Sequence, residues 1–359
     1  MRILIVKLSS IGDVVHALPA AAFLKRALPE AQISWVVERS ASAILKDSPV
    51  IDQLIEIDTR SWRERPLSMH TLADARARLG ELRHRGPHSN GGKIDVAIDL
   101  QGLIKSGIVA RASGASRRIG FDPAGLREKA SRVFLTEEVD TSHLEHVIEK
   151  NLALARAALE MNGASSDSTP YEFPIALRPE DDLFAESEAG ARGKRFAILN
   201  PGGGWTTKLW PAERFGQLAD LLLEQHSMAS IVTYGPGEEA LANQVAASSR
   251  AKAARPLAST LKQFVALARR ASLFVGGDTG PLHLAAASST PIVGIYGPTS
   301  AERNGPFDKR DIAVGLDLWC RSNCHRRSCW HWECMDIPLS RVAKAASKRL
   351  ADKERKDPE

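Results

Sequence analysis

Ile3-Leu4-Ile5-Val6-Lys7-Leu8-Ser9-Ser10-Ile11-Gly12-Asp13-Val14-Val15-His16 sets the architecture of this chain. Residues 3–8 are an apolar run, interrupted only by Lys7, of the kind that fills a parallel strand buried on both faces. A polar Ser-Ser turn and one glycine then lead into a helix-period segment, residues 14–28. Strand passing directly into helix is the unit of a doubly wound α/β sheet. Further buried-strand runs occupy residues 33–37, 94–100, 196–200, 231–234, 273–276 and 292–296. Helix-period segments fall at 144–160, 212–225, 261–271 and 282–287. Residues 163–179, with Ser, Asp, Thr and two prolines and no period, read as a linker. Two Rossmann-like halves are expected, 1–175 and 176–337, followed by an exposed, charge-rich helix and tail at 338–359. No internal sequence repeat accompanies them.

At ~150 residues per domain, 359 residues suit two domains. Hydrophobic residues at 43% and charged residues at 25% exclude a disordered or fibrous chain. No apolar run nears the ~18 residues of a membrane span, and residues 1–8 lack a small-residue cleavage site. A first strand is therefore expected instead of a signal peptide, and the cytoplasm is the default location. The net charge of +5 is unevenly placed: residues 60–132 hold 15 Lys/Arg against 7 Asp/Glu. That excess fits an anionic partner or a solvated basic face. Cys320, Cys324, Cys329 and Cys334 lie close together, but their spacing lacks the paired two-residue gaps of zinc sites. With His325 and His331 nearby, a metal or cluster site, a redox-labile thiol pair and plain packing all stay open.

Ligands of doubly wound sheets bind outside the carboxyl ends of strands, where helix N-termini present unpaired N–H groups. In the first such loop Asp13 falls in the first helical turn, where the dipole favours its ionised form. A proton-accepting carboxylate and a capping residue are equal readings of it. The second loop, residues 200–211, carries Gly202, Gly203, Gly204 and Lys208, which suits a diphosphate. The third holds Asp278, Thr279, Gly280 and His283 at a strand-to-helix junction. There the N–H groups suit an anion, and Asp278 suits sugar hydroxyls. Glu238 opens another helix, to hold a ribose diol or complement the dipole. No dinucleotide fingerprint, Walker A loop or D-x-D metal signature is present.

In combination these loops resemble the ADP-heptose:lipopolysaccharide heptosyltransferases of glycosyltransferase family nine, over about residues 1–350. The motifs are K-x-S-S-x-G-D-V-x-H from Lys7 to His16, K-x-W-P from Lys208 to Pro211, and D-T-G-x-x-H from Asp278 to His283. The N-terminal half looks most like the heptosyltransferase I type, through Arg60-Ser61-Trp62-Arg63, the segment from Gln101 to Ser106, and Arg127-Glu128. The resemblance implies a GT-B fold, two Rossmann-like domains facing a central cleft. It implies an inverting transfer of heptose from ADP-heptose to the Kdo of the lipopolysaccharide inner core. Asp13 matches the catalytic base, and Gly203, Gly204 and Lys208 the diphosphate loop. Glu238 matches a ribose contact and Ser259 a position near the adenine. Asp278, Thr279, Gly280 and His283 match heptose and phosphate contacts, and Arg60, Arg63 and Arg127 would face the anionic acceptor.

The implied partners are ADP-heptose, Kdo-lipid A or a related precursor, and the inner leaflet, with the enzyme cytoplasmic and peripheral at the inner membrane. No cofactor is implied for catalysis, which would be metal-independent. A cysteine-rich element before the last helix is more typical of heptosyltransferase II, so that type or another family-nine acceptor is the alternative. A GT-B-like sugar-nucleotide epimerase is a more distant one. A nucleic-acid partner is not expected, since no recognisable module or interleaved aromatics accompany the basic stretch.

Overall fold

The computed structural model describes residues 1–59, 61, 68, 73–74, 77–78, 80, 93–160, 171–190, 195–320, 324 and 326–354. The chain divides into two units, Met1–Ala176 and Leu177–Glu359. The first contains strands β1 (Arg2–Val6), β2 (Gln32–Glu38), β3 (Gln53–Ile57), β4 (Val96–Asp99), β5 (Arg117–Phe121) and β6 (Glu137–Val139). The second contains β7 (Phe196–Asn200), β8 (Ala229–Tyr234), β9 (Ala254–Ala258), β10 (Leu273–Gly277), β11 (Ile292–Tyr296) and β12 (Ile312–Gly315). All pairings are parallel, in the orders β3-β2-β1-β4-β5-β6 and β12-β11-β10-β7-β8-β9. Counted from its own first strand, each sheet has the same winding. The fold repeats where the sequence does not.

Each expected apolar run is a strand. The five others are β3, β5, β6, β9 and β12, which flank the sheet centres and carry charged or half-exposed residues. The expected helix over 14–28 is two helices, Ile11–Val15 and Leu18–Ala27. Pro19 in the first turn of the second has no N–H to donate, so it suits a new start and not a continuous helix.

The last helix, Leu339–Glu354, corrects an expectation. Its Val342, Ala346 and Leu350 are buried in the second core with Trp210, Phe215 and Val293, so it is not simply exposed. Its buried Arg349 pairs with buried Asp311 at 2.7 Å. The charge-rich composition concealed an amphipathic helix that covers one face of the sheet. Trp210 locks this region: its ring meets Phe215 edge-on at 4.8 Å, and its Nε1 donates to the Ile337 carbonyl at 2.9 Å.

Candidate functional site

Where strand order reverses in a doubly wound sheet, neighbouring loops part and leave a crevice at the carboxyl ends. The reversal falls between β1 and β4 in one sheet and between β7 and β10 in the other. The loops at those points are residues 7–13, 100–106, 201–208 and 278–283. Topology thus selects the loops that carry most of the candidate residues.

In the first unit, Trp35 Nε1 donates to the Lys7 carbonyl (3.1 Å), and the buried Lys7 Nζ donates to the Leu100 carbonyl at 2.5 Å. Gln101 Oε1 accepts from the N–H groups of Leu8 (3.0 Å) and Ser9 (3.3 Å), tying the two loops together. Asp99, also buried, accepts from the N–H groups of Gln101 and Gly102 and from the Ser106 hydroxyl. Gly102 has φ +69°, a conformation glycine adopts at little cost.

On this base stands Asp13. Its Oδ2 accepts from the Ser10 N–H at 2.9 Å and lies 3.3 Å from the Ser10 hydroxyl. Its Oδ1 faces Arg127 Nη2 at 3.1 Å and Lys7 Nζ at 4.0 Å. The two readings of Asp13 are therefore compatible, with one oxygen capping the helix and the other facing the cations. Burial works against the charged form. The Lys7 and Arg127 charges, the Ser10 N–H and His16 outweigh it and hold the carboxyl well below the usual carboxylate range. Asp13 is 17% exposed and Lys7 3%, so the carboxylate is reachable and the ammonium behind it is sealed.

Arg127 is set in place by its neighbour: the Glu128 N–H donates to the Gly102 carbonyl, and Glu128 Oε2 accepts from the Ile104 N–H at 2.6 Å. Lys105, within the Gln101–Ser106 segment but given no role from the sequence, lies 3.2 Å from both Glu38 Oε1 and Thr59 Oγ1. Arg60 and Arg63 lie outside the described residues.

In the second unit, Lys208 Nζ donates to Asp278 Oδ2 (2.9 Å) and to the Asp278 carbonyl (2.8 Å). His283 Nε2 lies 3.0 Å from Asp278 Oδ1; a carboxylate only accepts, so this nitrogen carries the proton. Burial would raise the Asp278 carboxyl, yet His283 and Lys208 hold it far below the usual range. Here the carboxylate is sealed, at 4% exposed, and the ammonium is reachable, at 16%. Thr279 caps the helix Gly280–Ala287, and its Oγ1 is buried without a partner among the described residues. A β-carbon on Gly203 would come within 3.1 Å of the Thr279 methyl, whereas Gly204 faces open space.

Glu238 and Ser259 follow β8 and β9, the next strands of the sheet. Glu238 Oε2 accepts from the Gly235 N–H at 2.9 Å. A β-carbon on Gly202 would strike the Glu238 carboxylate, so Gly202 is the glycine that this contact requires. From Asp278 through Lys208 and Glu238 to Ser259, the candidates follow four adjacent strands, a row ~14 Å wide at ~4.8 Å per strand.

Another group at this loop was not legible in the sequence. The hydroxyls of Thr207 and Thr206 donate to the carbonyls of Arg326 (2.7 Å) and Arg327 (3.3 Å). The Arg327 guanidinium lies 5.4 Å from the Trp205 ring centre, and Lys208 Nζ lies 4.6 Å from the same ring. A separation of about 120 residues hides this contact from local pattern reading.

The four cysteines are half-buried free thiols that share a cavity of about 20 Å³ with Thr207 and His331. Among the described residues no three His, Cys, Asp or Glu side chains form a group that could hold a metal ion. The metal reading of the cluster thus finds no support among the described residues: sharing a cavity does not make these thiols a ligand set. His325 is outside the described residues. Burial, then the neighbouring thiols, push the Cys334 thiol up, and the backbone N–H groups of Trp332 and His331 lower that of Cys329.

Two parallel sheets of one winding, with charged groups at both reversal points, define a GT-B-type α/β protein. A family model for glycosyltransferase family 9 (heptosyltransferase) matches residues 90–331, and the chain belongs to that family. Lipopolysaccharide heptosyltransferase 1 of Pseudomonas aeruginosa is 29% identical over 332 residues, 92% of this chain and 87% of its own length. The enzyme of that name from Escherichia coli K12 is 28% identical over 312 residues, 87% of this chain and 92% of its own. Among solved structures, E. coli heptosyltransferase WaaC with ADP superposes with a TM-score of 0.73 at 26% identity, covering 87% of this chain and 92% of its own. E. coli ADP-heptose lps heptosyltransferase II shares the fold at a TM-score of 0.76 and 21% identity, covering 99% and 100%. The expected likeness to the heptosyltransferase I type is borne out.

Proposed function

We propose that this enzyme transfers heptose from ADP-heptose to the Kdo of a lipopolysaccharide inner-core precursor, with inversion at the anomeric carbon. The observation that carries the reading is the ionised, reachable Asp13 carboxylate backed by Lys7 and Arg127. Asp13 Oδ1 takes the proton of the acceptor hydroxyl as that oxygen attacks the anomeric carbon. The bond to ADP breaks, and negative charge grows on the departing diphosphate. Lys208, Arg327 and the N–H groups at the head of the helix Gly280–Ala287 balance it. Asp278 serves here chiefly by holding Lys208 and His283. The row from Asp278 to Ser259 suits a nucleoside diphosphate-sugar laid across the strand ends, with Glu238 at the ribose and Ser259 toward the base.

Arg60, Arg63 and Arg127 take the carboxylate and phosphate groups of the acceptor, for which guanidinium forks are well shaped. An acceptor carrying lipid brings the enzyme to the inner-leaflet surface; among the described residues no helix is long and apolar enough to cross a membrane. The cysteine-rich segment favours a second reading, in which the acceptor is the already heptosylated core. Incubation with ADP-heptose and either Kdo-lipid A or its heptosylated product, followed by mass analysis, separates the two. A gain of one heptose on Kdo-lipid A supports the first reading and a gain on the heptosylated product alone the second. Conversion of ADP-heptose without any acceptor product defeats both.

A further inference from the structure

The segment between β12 and the last helix carries three of the seven tryptophans of the chain: Trp319, Trp330 and Trp332. Trp35 and Trp210 are fully buried, whereas Trp319 is 87% exposed and Trp330 89%. Large aromatic side chains are normally buried on folding, so two nearly bare indoles within twelve residues mark a surface that meets something else. They border one depression of about 390 Å³, together with Arg326 and His331. Trp330 meets the His331 ring edge-on at 4.9 Å. Trp332 holds φ +31°, a conformation in which a β-carbon is crowded, so the turn is kept against local preference.

We propose that this face, centred on Trp319 and Trp330 with Arg326 beside them, docks onto an anionic lipid bilayer. The proposal rests on the reading of a lipid-bearing acceptor. Indoles favour the membrane interface, because the ring is apolar and its N–H still finds polar headgroups. Arginine adds attraction to anionic lipid. Of the acids nearby, Asp336 is bonded to Arg214, whose charge offsets it, while Glu333 lies 3.4 Å from His331 and works against that attraction. Exposed Asp317 does the same and sets the attraction at a modest level. Because Thr206 and Thr207 bond the Arg327 and Arg326 carbonyls, the docking face is continuous with the Lys208 loop of the donor site.

The test uses the full chain with vesicles of equal parts phosphatidylcholine and phosphatidylglycerol, alongside pure phosphatidylcholine. Binding is read by co-sedimentation and by quenching of tryptophan emission with brominated lipid. The wild type is expected to bind the anionic vesicles and be quenched, and to bind neutral ones more weakly. Trp319→Ser/Trp330→Ser should weaken partition by about tenfold or more and remove the quenching. ADP affinity and transfer to a deacylated, soluble acceptor should stay at wild-type levels. Three results overturn the proposal: no vesicle binding by the wild type, binding unchanged in the double variant, or a wild-type dimer in solution that the double variant converts to monomer. If the wild type binds vesicles yet fails on the soluble acceptor, the transferase reading fails and the docking surface stands.

Discussion

The two reversal points mirror each other in charge. In the first unit a sealed ammonium, Lys7, backs a reachable carboxylate, Asp13. In the second a sealed carboxylate, Asp278, backs a reachable ammonium, Lys208. The contact lengths differ as well: 4.0 Å between Lys7 and Asp13, and 2.9 Å between Lys208 and Asp278. A charge at a strand end acts through whichever partner solvent and substrate can reach, and the buried partner keeps it ionised. Identical winding and similar residue types thus leave a reachable carboxylate on one sheet and a reachable ammonium on the other, which under the proposed function serve as proton acceptor and anion holder.

The largest expected effect comes from removing the reachable carboxylate. Asp13→Asn should lower turnover by ~10²–10⁴-fold, the usual contribution of a general base, in a steady-state transfer assay. The side-chain oxygen of asparagine can still accept from the Ser10 N–H, so most of the capping contact survives. A fall in melting temperature that accounts for the lost activity would show that capping was the residue's main work.

Asp311 and Arg349 provide the control, since both partners are buried and neither faces a reversal point. Arg349→Met leaves the buried Asp311 carboxyl without its cation, with the Ile292 N–H still donating to it, and should cost ~3–5 kcal/mol in denaturant unfolding. Adding Asp311→Asn should recover part of that loss. ADP affinity per folded molecule should not change; if it does, sealed pairs also shape the site.

Lys208→Met should weaken ADP binding by ~10–100-fold, the range of one charge-assisted contact of ~1.5–3 kcal/mol. Smaller again is the effect at Arg127. Its removal lets the Asp13 carboxyl rise, with Lys7 and the Ser10 N–H still holding it down, so the acid limb of the turnover profile should move up in pH. In the wild type Asp13 stays ionised, and it should cause no loss of turnover as pH falls from neutrality to about 5, where ordinary carboxylates are still mostly ionised. An unmoved limb in Arg127→Ala would show that Lys7 alone sets the charge state. Arg327→Gln, at an exposed guanidinium, should weaken ADP binding only a few-fold.

The sheet centres were legible because short, β-branched apolar runs such as residues 292–296 fit buried strands. β5, which begins Arg117-Arg118, was not, because flanking strands need no continuous apolar run. The motif loops were legible because their glycines, Asp13, Lys208 and Asp278 fall in loops directly after strands, and their combination, more than any one residue, resembles one family. The contacts among them were less so. Lys208 against Asp278 spans 70 residues, and Gly202 against Glu238 depends on how two loops settle. Local pattern placed Asp13 at its helix head but did not supply the Arg127 partner, which arrives from 114 residues away. Tertiary closeness of charges has no periodic signature in a single sequence.

The division of labour between the two sites is tested most directly by titrating ADP into Asp13→Asn and Lys208→Met under identical conditions, by calorimetry. The account predicts wild-type affinity for Asp13→Asn and a loss of at least about tenfold for Lys208→Met. Wild-type affinity in Lys208→Met, or an equal loss in both variants, would contradict it.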